Sequence, residues 1–439
     1  MGCCHHYYEL VDQGADAFTV DMPRLTFGRG ALGELGARAR DRGMRRVALI
    51  TDRWLAATAL LETARQSLRD AGVDFAEFAG VRVEPTDRSV MEAVAFLDEG
   101  DFDGVVSVGG GSVIDTAKGA LVYARYPATF TTYFGKPVGD GVPVPGPVLP
   151  HIACPTTAGT GSEMTGLSVI RLEALNTKFV IASRHIMPDE ALCDPGAMDS
   201  LPATIVASSG FDCMSHAIET YTARAYTRWP RVPAPGARPQ IQGANPWSDL
   251  HAREALKLVG RYLERGVADA TDREARDSLM WAATLAGMAF GNCGTHLPHA
   301  LSYGVSHLVR DYRAPDYEPG KGPGPFIPHG ISVIVNSPSV FRWTAQAAPE
   351  RHLEAAAALG AEVHGAAPED AGEITAGRII ALMRGTGIPN GLGGVGFTGD
   401  DAGALADSAI RQGRAIGNSP RECGRDDVEG IYARALSYW

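Results

Sequence analysis

No uninterrupted apolar run in the chain approaches the roughly 20 residues that a membrane-spanning helix needs, so no bilayer segment is expected. A basic surplus is missing too: 40 Lys and Arg face 51 Asp and Glu, a net charge of −11, which argues against general nucleic-acid affinity. Cysteine is sparse, seven scattered residues, an odd number that suits a reducing cytoplasm better than a disulfide framework. The start, Met1-Gly-Cys-Cys-His-His-Tyr-Tyr-Glu9, has neither an apolar core nor a basic amphipathic pattern. It also lacks Ser or Thr at position 6, so no signal peptide, transit peptide or myristoylation is expected, and the location is read as cytoplasmic. Internal repeats and Ser/His/Asp or Cys/His nucleophile patterns are likewise missing. What remains is a chain of 439 residues, 45% hydrophobic. That is a globular composition, long enough for two domains with a core each.

Strand and helix alternate in the first half. Val47-Ala-Leu-Ile-Thr51 reads as a buried strand, and Trp54 to Ala71 continues with helical periodicity. Val73 to Phe78 alternates like a strand, Asp87 is placed to cap a helix running to Glu99, and Gly104 to Val108 is a third strand before a helix from Ser112. This succession implies a parallel sheet with right-handed crossovers. From about Leu201 helical patterns take over, at 202–225, 249–266, 273–291, 296–310, 331–347 and 350–363. The boundary is therefore drawn at 200, with an α/β domain over 1–200 and an all-α domain over 201–439. Two Pro- and Gly-rich stretches, Trp229 to Pro246 and Ala314 to Pro328, are either surface linkers or active-site lids. The second leads directly into His329.

Two groups of residues carry chemistry. Asp212 and His216 lie four apart in a helical stretch and project from one face. Together with His299 and His329 they offer one carboxylate and three imidazoles, a donor set suited to Fe²⁺ or Zn²⁺. Gly109-Gly-Gly-Ser112 lies between strand and helix, where glycines admit a pyrophosphate and free N–H groups bind it; the other reading is a tight turn. Ser112 and Asp115 have capping-box spacing. Asp52, directly after the first strand, either accepts the ribose hydroxyls of NAD while repelling the 2′-phosphate of NADP, or caps a helix. Pro155-Thr-Thr-Ala-Gly-Thr-Gly-Ser-Glu163, which includes Thr160, either closes over the cofactor or is an ordinary polar loop.

Taken together, Gly109-Gly-Gly-Ser-x-x-Asp-x-Ala-Lys118, Pro155-Thr-Thr-x-Gly-Thr-Gly-Ser-Glu163, Asp194-Pro195, Gly210-x-Asp-x-x-x-His216, His299-Ala-x-x-Tyr303 and Pro328-His-Gly330 resemble the iron-containing (group III) alcohol dehydrogenase family. The resemblance runs from about residue 24 onward. It implies a dehydroquinate-synthase-like fold with an α/β dinucleotide-binding domain followed by an all-α domain. It further implies metal ligands Asp212, His216, His299 and His329, and NAD contacts from Asp52, Gly109, Gly110, Gly111, Ser112, Thr156, Thr157, Ser162 and Lys178. Asp115 and Thr160, inside the same motifs, are carried with that cofactor set. Catalytic roles are expected for His299 and Tyr303.

Within the family the chain looks most like the hydroxyacid–oxoacid transhydrogenases. The supporting strings are the Cys-Cys-His-His start, Arg238-Pro, Gln242-Gly-x-Asn-Pro-x-Ser-Asp249, and Tyr303 where many members have a second His. That branch implies oxidation of 4-hydroxybutyrate to succinate semialdehyde and reduction of 2-oxoglutarate to 2-hydroxyglutarate through bound NAD. Substrates with a remote carboxylate call for a cation, and Arg238, Arg228, Arg231 and Lys321 are the candidates, against a reading as solvated loop charges. Two alternatives stand beside this one: an ordinary NAD-dependent alcohol or hydroxyacid dehydrogenase that releases NADH, and a metal-dependent lyase of the dehydroquinate-synthase type. His296 and His307 are either donors behind the ligands or packed residues, and the Cys and His pairs at 3–6 are incidental or metal-binding. A homo-oligomer is expected.

Overall fold

Runs of Val, Ile and Leu without polar alternation fit strands covered on both faces, and the protein uses them so. Its computed structural model describes residues 7, 11–136, 138–175, 177–317 and 324–439. The strands are β1 (Arg24–Phe27), β2 (Arg46–Asp52), β3 (Asp74–Val81), β4 (Gly104–Gly109), β5 (His151–Pro155), β6 (Leu167–Leu172), β7 (Thr177–Ala182) and β8 (Glu190–Cys193). Six of them form one wholly parallel sheet in the order β1-β8-β5-β4-β2-β3, while β6 and β7 pair as an antiparallel hairpin. Helices α1 (Leu35–Asp41), α2 (Ala59–Asp70), α3 (Asp87–Glu99) and α4 (Gly111–Arg125) connect the strands. The period of two along each strand divides the apolar side chains between two layers. Ala48, Ile50 and Val105 join the residues of α3 and α4 in one core, and Val47, Leu49, Val106 and Val108 join those of α1 and α2 in the other.

This sheet, with its helices, is the unit Asp21–Ser200; the second unit is Met1–Val20 together with Leu201–Trp439. The expected 1–200 domain is thereby corrected at its start. Tyr7 donates to Asp249 at 2.7 Å, and Thr19 exchanges two 2.8 Å hydrogen bonds with the Gln242 side chain, tying this segment to the helical unit. Cys3, Cys4, His5, His6 and Lys321 lie outside the described residues.

The second unit holds α5 (Ala203–Thr222), α6 (Pro246–Ala268), α7 (Arg273–Cys293), α8 (Leu297–Leu308), α9 (His329–Ile334), α10 (Ser337–Thr344), α11 (Pro349–Ala358), α12 (Ala371–Gly385), α13 (Ala402–Ala409), α14 (Gly413–Gly417) and α15 (Arg425–Ala433). The expected helix 331–347 is two helices, because Pro338 near the start of α10 cannot continue the hydrogen-bond ladder of α9. Among the described residues no helix is long and apolar enough to cross a membrane.

Local capping differs from expectation twice. Thr86, not Asp87, caps α3: its hydroxyl accepts from Ser89 N at 3.2 Å, and Ser89 Oγ accepts from Thr86 N at 2.9 Å. Helix α4 begins one residue before Ser112, with Gly110 at the cap, and no Ser112–Asp115 capping box forms.

Helix α5 is buried on nearly every face from Val206 to Thr222, and α9 lies directly against it. A Cβ on Gly330 would stand 1.8 Å from the Ser208 carbonyl oxygen and 3.2 Å from Asp212 Cβ. The bare backbone at Gly330 is what lets His329 approach Asp212. Gly330→Ala should therefore push α9 outward and destabilise the protein by about 1–3 kcal/mol, measurable as a lowered midpoint in urea unfolding.

Candidate metal centre

One helix face sets the centre. Asp212, His216 and Glu219 follow one another on successive turns of α5, all buried. His299 arrives from α8 and His329 is the first residue of α9. Three imidazoles converge on one atom, Asp212 Oδ1, with His299 Nε2 at 3.3 Å, His329 Nε2 at 3.7 Å and His216 Nε2 at 4.0 Å. Ligands at about 2.0–2.2 Å around a tetrahedral ion stand about 3.4 Å apart, so these spacings match a pre-formed cation site. Asp212, His299 and His329 have ligand atoms all within 4.8 Å of one another. His216 stands beside that trio, its ring stacked on His299 at 4.4 Å and on Phe290 at 4.1 Å.

The charges favour a cation. Asp212 Oδ1 and His299 Nε2 are buried and face each other at 3.3 Å, and a cation shared between them would take both lone pairs. Burial would raise the Asp212 carboxyl, but His216, His329 and His299 outweigh it and hold it well below the usual range. Burial would likewise depress His299, yet Glu219 and Asp212 push it up to about 10. The environment is thus strongly negative, and the donor set of one carboxylate and three imidazoles fits Fe²⁺ or Zn²⁺.

Sequence reasoning missed Glu219. Its Oε1 lies 2.6 Å from His299 Nδ1, and its Oε2 accepts from His296 N at 2.7 Å and His299 N at 3.4 Å. A carboxylate on Nδ1 fixes the proton there and turns the Nε2 lone pair toward Asp212. The signal was available, since 212, 216 and 219 share a helix face. His296 is a packed residue: it caps α8 through Nδ1 and meets Thr222 Oγ1 at 3.0 Å. His307 pairs with Ser408 at 3.1 Å, and Cys154, Cys193, Cys213 and Cys293 are buried free thiols.

In the sheet unit Asp52, the 109–112 loop and the 156–162 loop follow the carboxyl ends of β2, β4 and β5, the edge where open α/β sheets bind nucleotides, whereas Lys178 lies on β7 of the separate hairpin. Gly109 and Pro155 are in register across β4 and β5, so the loops after them emerge side by side, joined by Thr156 N donating to Gly109 O at 3.1 Å. The glycines are needed for this loop packing itself. A Cβ on Gly111 would lie 2.5 Å from the Thr160 side chain, one on Gly110 3.3 Å from Thr157 Oγ1, and one on Gly109 2.4 Å from Val113.

Asp52 closes a local turn and is not the helix N-cap, its Oδ1 accepting from Trp54 N at 2.9 Å and Leu55 N at 3.0 Å. Lys178 pairs with Glu84 at 2.5 Å, and Glu84 N donates to Ser112 Oγ at 3.2 Å. Asp115 and Ser162 brace the loops: Ser162 donates to Asp115 Oδ1 at 2.5 Å, and Val169 N donates to Asp115 Oδ2 at 3.0 Å. Beneath them the fully buried Lys118 donates to Ser162 O at 2.5 Å, Ser162 Oγ at 3.0 Å and Leu167 O at 2.9 Å. Of the loop cations, Arg238 donates to Thr19 Oγ1 at 3.3 Å, Arg231 pairs with Asp16 at 3.6 Å, and Arg228 is exposed.

Two outcomes are expected. Glu219→Ala should weaken divalent-metal binding about 10- to 100-fold in a competition titration with a chromogenic chelator. Burial lowers Lys118 from the usual 10.5 to about 8, against the pull of Asp115 and Glu163. Between those values the unfolded chain binds the proton more strongly, so stability should rise with pH across that window. Lys118→Met should remove this rise and cost about 1–3 kcal/mol by leaving the buried Ser162 and Leu167 carbonyls without their donor, as read by denaturant unfolding at several pH values.

Known proteins bear on the same residues. Residues 23–195 match the family described as iron-containing alcohol dehydrogenase, and residues 241–310 and 324–436 match its C-terminal region. The mitochondrial hydroxyacid–oxoacid transhydrogenase of Xenopus tropicalis is 41% identical over 425 residues, 96% of this chain and 91% of the relative. Among solved structures, a 1,3-propanediol oxidoreductase superposes with a TM-score of 0.83 at 29% identity, covering 95% of this chain and all of that one (100%). The sulfoacetaldehyde reductase of Bifidobacterium kashiwanohense, solved with NAD+, gives 0.77 at 27% identity over 96% of this chain and 99% of its own. The expected cytoplasmic location is overturned by the transhydrogenase relative, whose name places it in the mitochondrion. Free thiols argue against an oxidising compartment without telling one reducing compartment from another. From end to end, by motif, by fold and by the carboxylate–imidazole cluster, the chain belongs to the iron-containing alcohol dehydrogenase family of metal-dependent oxidoreductases.

Proposed function

We propose that this chain is a hydroxyacid–oxoacid transhydrogenase, taking hydride from 4-hydroxybutyrate and giving it to 2-oxoglutarate. The identity of 41% across nearly the whole chain to a protein of that name carries the reading. Fe²⁺ is the proposed ion and Zn²⁺ the alternative; when bound, the ion supplies Lewis acidity to the substrate hydroxyl, and NAD supplies the hydride carrier. Asp212, His216, His299 and His329 would hold the ion, with Glu219 keeping the His299 lone pair turned inward.

Tyr303 stands one turn after His299 on α8, its ring parallel to that of His329 at 6.4 Å and 14°. This phenol, beside His329, is the group proposed to handle the hydroxyl proton. In the sheet unit, the amides at the start of α4, from Gly110, Gly111 and Ser112, would meet the pyrophosphate, with Gly109 giving room. Thr156, Thr157, Thr160 and Lys178 would complete that surface, and Asp115 and Ser162 would hold its shape. Both turn hydrogen bonds of Asp52 use Oδ1, so Oδ2 is the proposed acceptor for the ribose hydroxyls, and its charge favours NAD. Arg238 and Arg228 are the proposed cations for the remote carboxylate of the substrates.

Purified protein mixed with 4-hydroxybutyrate and 2-oxoglutarate, without added NAD, should form succinate semialdehyde and 2-hydroxyglutarate in equal amounts. Strict dependence on added NAD would instead identify an ordinary dehydrogenase that releases NADH. Chelation of the metal should abolish turnover in either case.

A further inference from the structure

A helix leaves its last four carbonyls without partners inside itself. In α7 these belong to Phe290, Gly291, Asn292 and Cys293. Gly294 N serves the first at 2.7 Å, and one loop serves the other three. Gln240 Nε2 donates to Gly291 O at 3.1 Å, Gln242 N to Asn292 O at 2.7 Å and Gly243 N to Cys293 O at 3.1 Å. The loop turns on Gly243, at φ 90°, where a Cβ would stand 2.6 Å from Arg224 O. It also presses on the joint to α8, since a Cβ on Gly294 would lie 2.4 Å from Ile241 Cγ2. The turn held in this way touches the ion site on two sides. The Phe290 ring is stacked on His216, and α8, which carries His299, begins just beyond the joint.

The start of the chain fastens the loop in turn. Gln242, only 8% exposed, grips Thr19 with both ends of its amide: Oε1 accepts from Thr19 N and Nε2 donates to Thr19 O, each at 2.8 Å. Further back, Arg231 N donates to Gln13 O at 2.9 Å and Ala15 N to Trp229 O at 2.8 Å. A Cβ on Gly14 would stand 2.2 Å from Thr227 O, so the two stretches are in close contact. The family match begins at residue 23 and, after 195, resumes only at 241. Segment 13–19 and the loop up to Gln240 therefore both lie outside the common pattern, and they meet on a turn that the common site uses.

We infer that residues 13–19 clamp the ion site from a distance, with Gln242 as the positioning residue that carries their hold to the last turn of α7. This role presupposes that Asp212, His216, His299 and His329 hold an ion, and Gln242 exerts it without touching any of them. Removing the Gln242 amide frees the loop, and the α7 carbonyls it serves turn to water. The last turn of α7 then opens locally while the rest of the unit stays folded. An opened turn no longer supports the His216 and His299 rings, and ligands without fixed support bind an ion less tightly.

The test compares full-length wild type with Gln242→Leu, which keeps the bulk and loses the amide, and with Gly14→Ala, which pushes segment 13–19 off Thr227. In metal-free protein, hydrogen exchange at the amides of residues 290–299 should be about 10-fold faster in both variants, with the rest of the helical unit unchanged. Unchanged exchange at 290–299 overturns the inference, and so does faster exchange spread evenly over the unit, which marks general loosening. Both variants should also bind Co²⁺ about 10-fold more weakly in competition with a chromogenic chelator; equal affinity overturns the clamp on the ion site. Should Gln242→Leu fail to fold, Gly14→Ala carries both measurements. If the wild type takes up no Co²⁺, the reading of the four residues as an ion site fails by itself, and hydrogen exchange alone decides whether Gln242 positions the turn.

Discussion

Two buried carboxylates on one helix govern the ion site. Asp212 and Glu219 both lie within α5, sealed from solvent, and neither can be neutralised cheaply by water. Everything nearby can be understood as an answer to that charge. His216 joins from the same helix, α8 brings the His299 ring between the two carboxylates, and α9 approaches on a glycine so that His329 can reach. The glycine at 330, the aromatic stack of Phe290 on His216 and the backbone amides held by Glu219 are parts of one arrangement that concentrates negative charge where a cation binds.

The sheet unit solves a different problem with similar economy of means. Its nucleotide edge depends on two loops being held flat against each other, and the glycines at 109–111 serve that fit directly. Lys118 supplies the buried counter-charge and donor beneath them. The phosphate-binding look of the Gly-rich string and its packing role are therefore not rivals, because a loop pressed flat on its neighbour also leaves its outer amides open.

How much of this could be read from the chain varied with the range of the interaction. The Asp212/His216 pair was legible because helix geometry alone places residues four apart on one face. Glu219 shares that face, but the chain does not reveal which polar group on a helix turns toward a partner from α8. The supposed Ser112–Asp115 capping box failed for the same reason: Ser112 is taken by Glu84 N, and Asp115 by Ser162 and Val169, all distant in sequence. Buried strands such as Val47 to Thr51 were plain from continuous apolar runs. The β6–β7 hairpin and the alanine-rich helices after residue 370 were not, since their local patterns are weak. Compartment was misjudged because thiol chemistry reports redox state, not address.

The uneven exposure of the four proposed ligands bears on how an ion would enter. Asp212, His216 and His299 are 3–6% exposed, whereas His329 is 31% exposed and begins a helix of only six residues. Three donors thus form a rigid socket, and the fourth is a gatekeeper on a short lever. In the proposed site an ion would load and leave on the side of His329, the most exposed of the four donors.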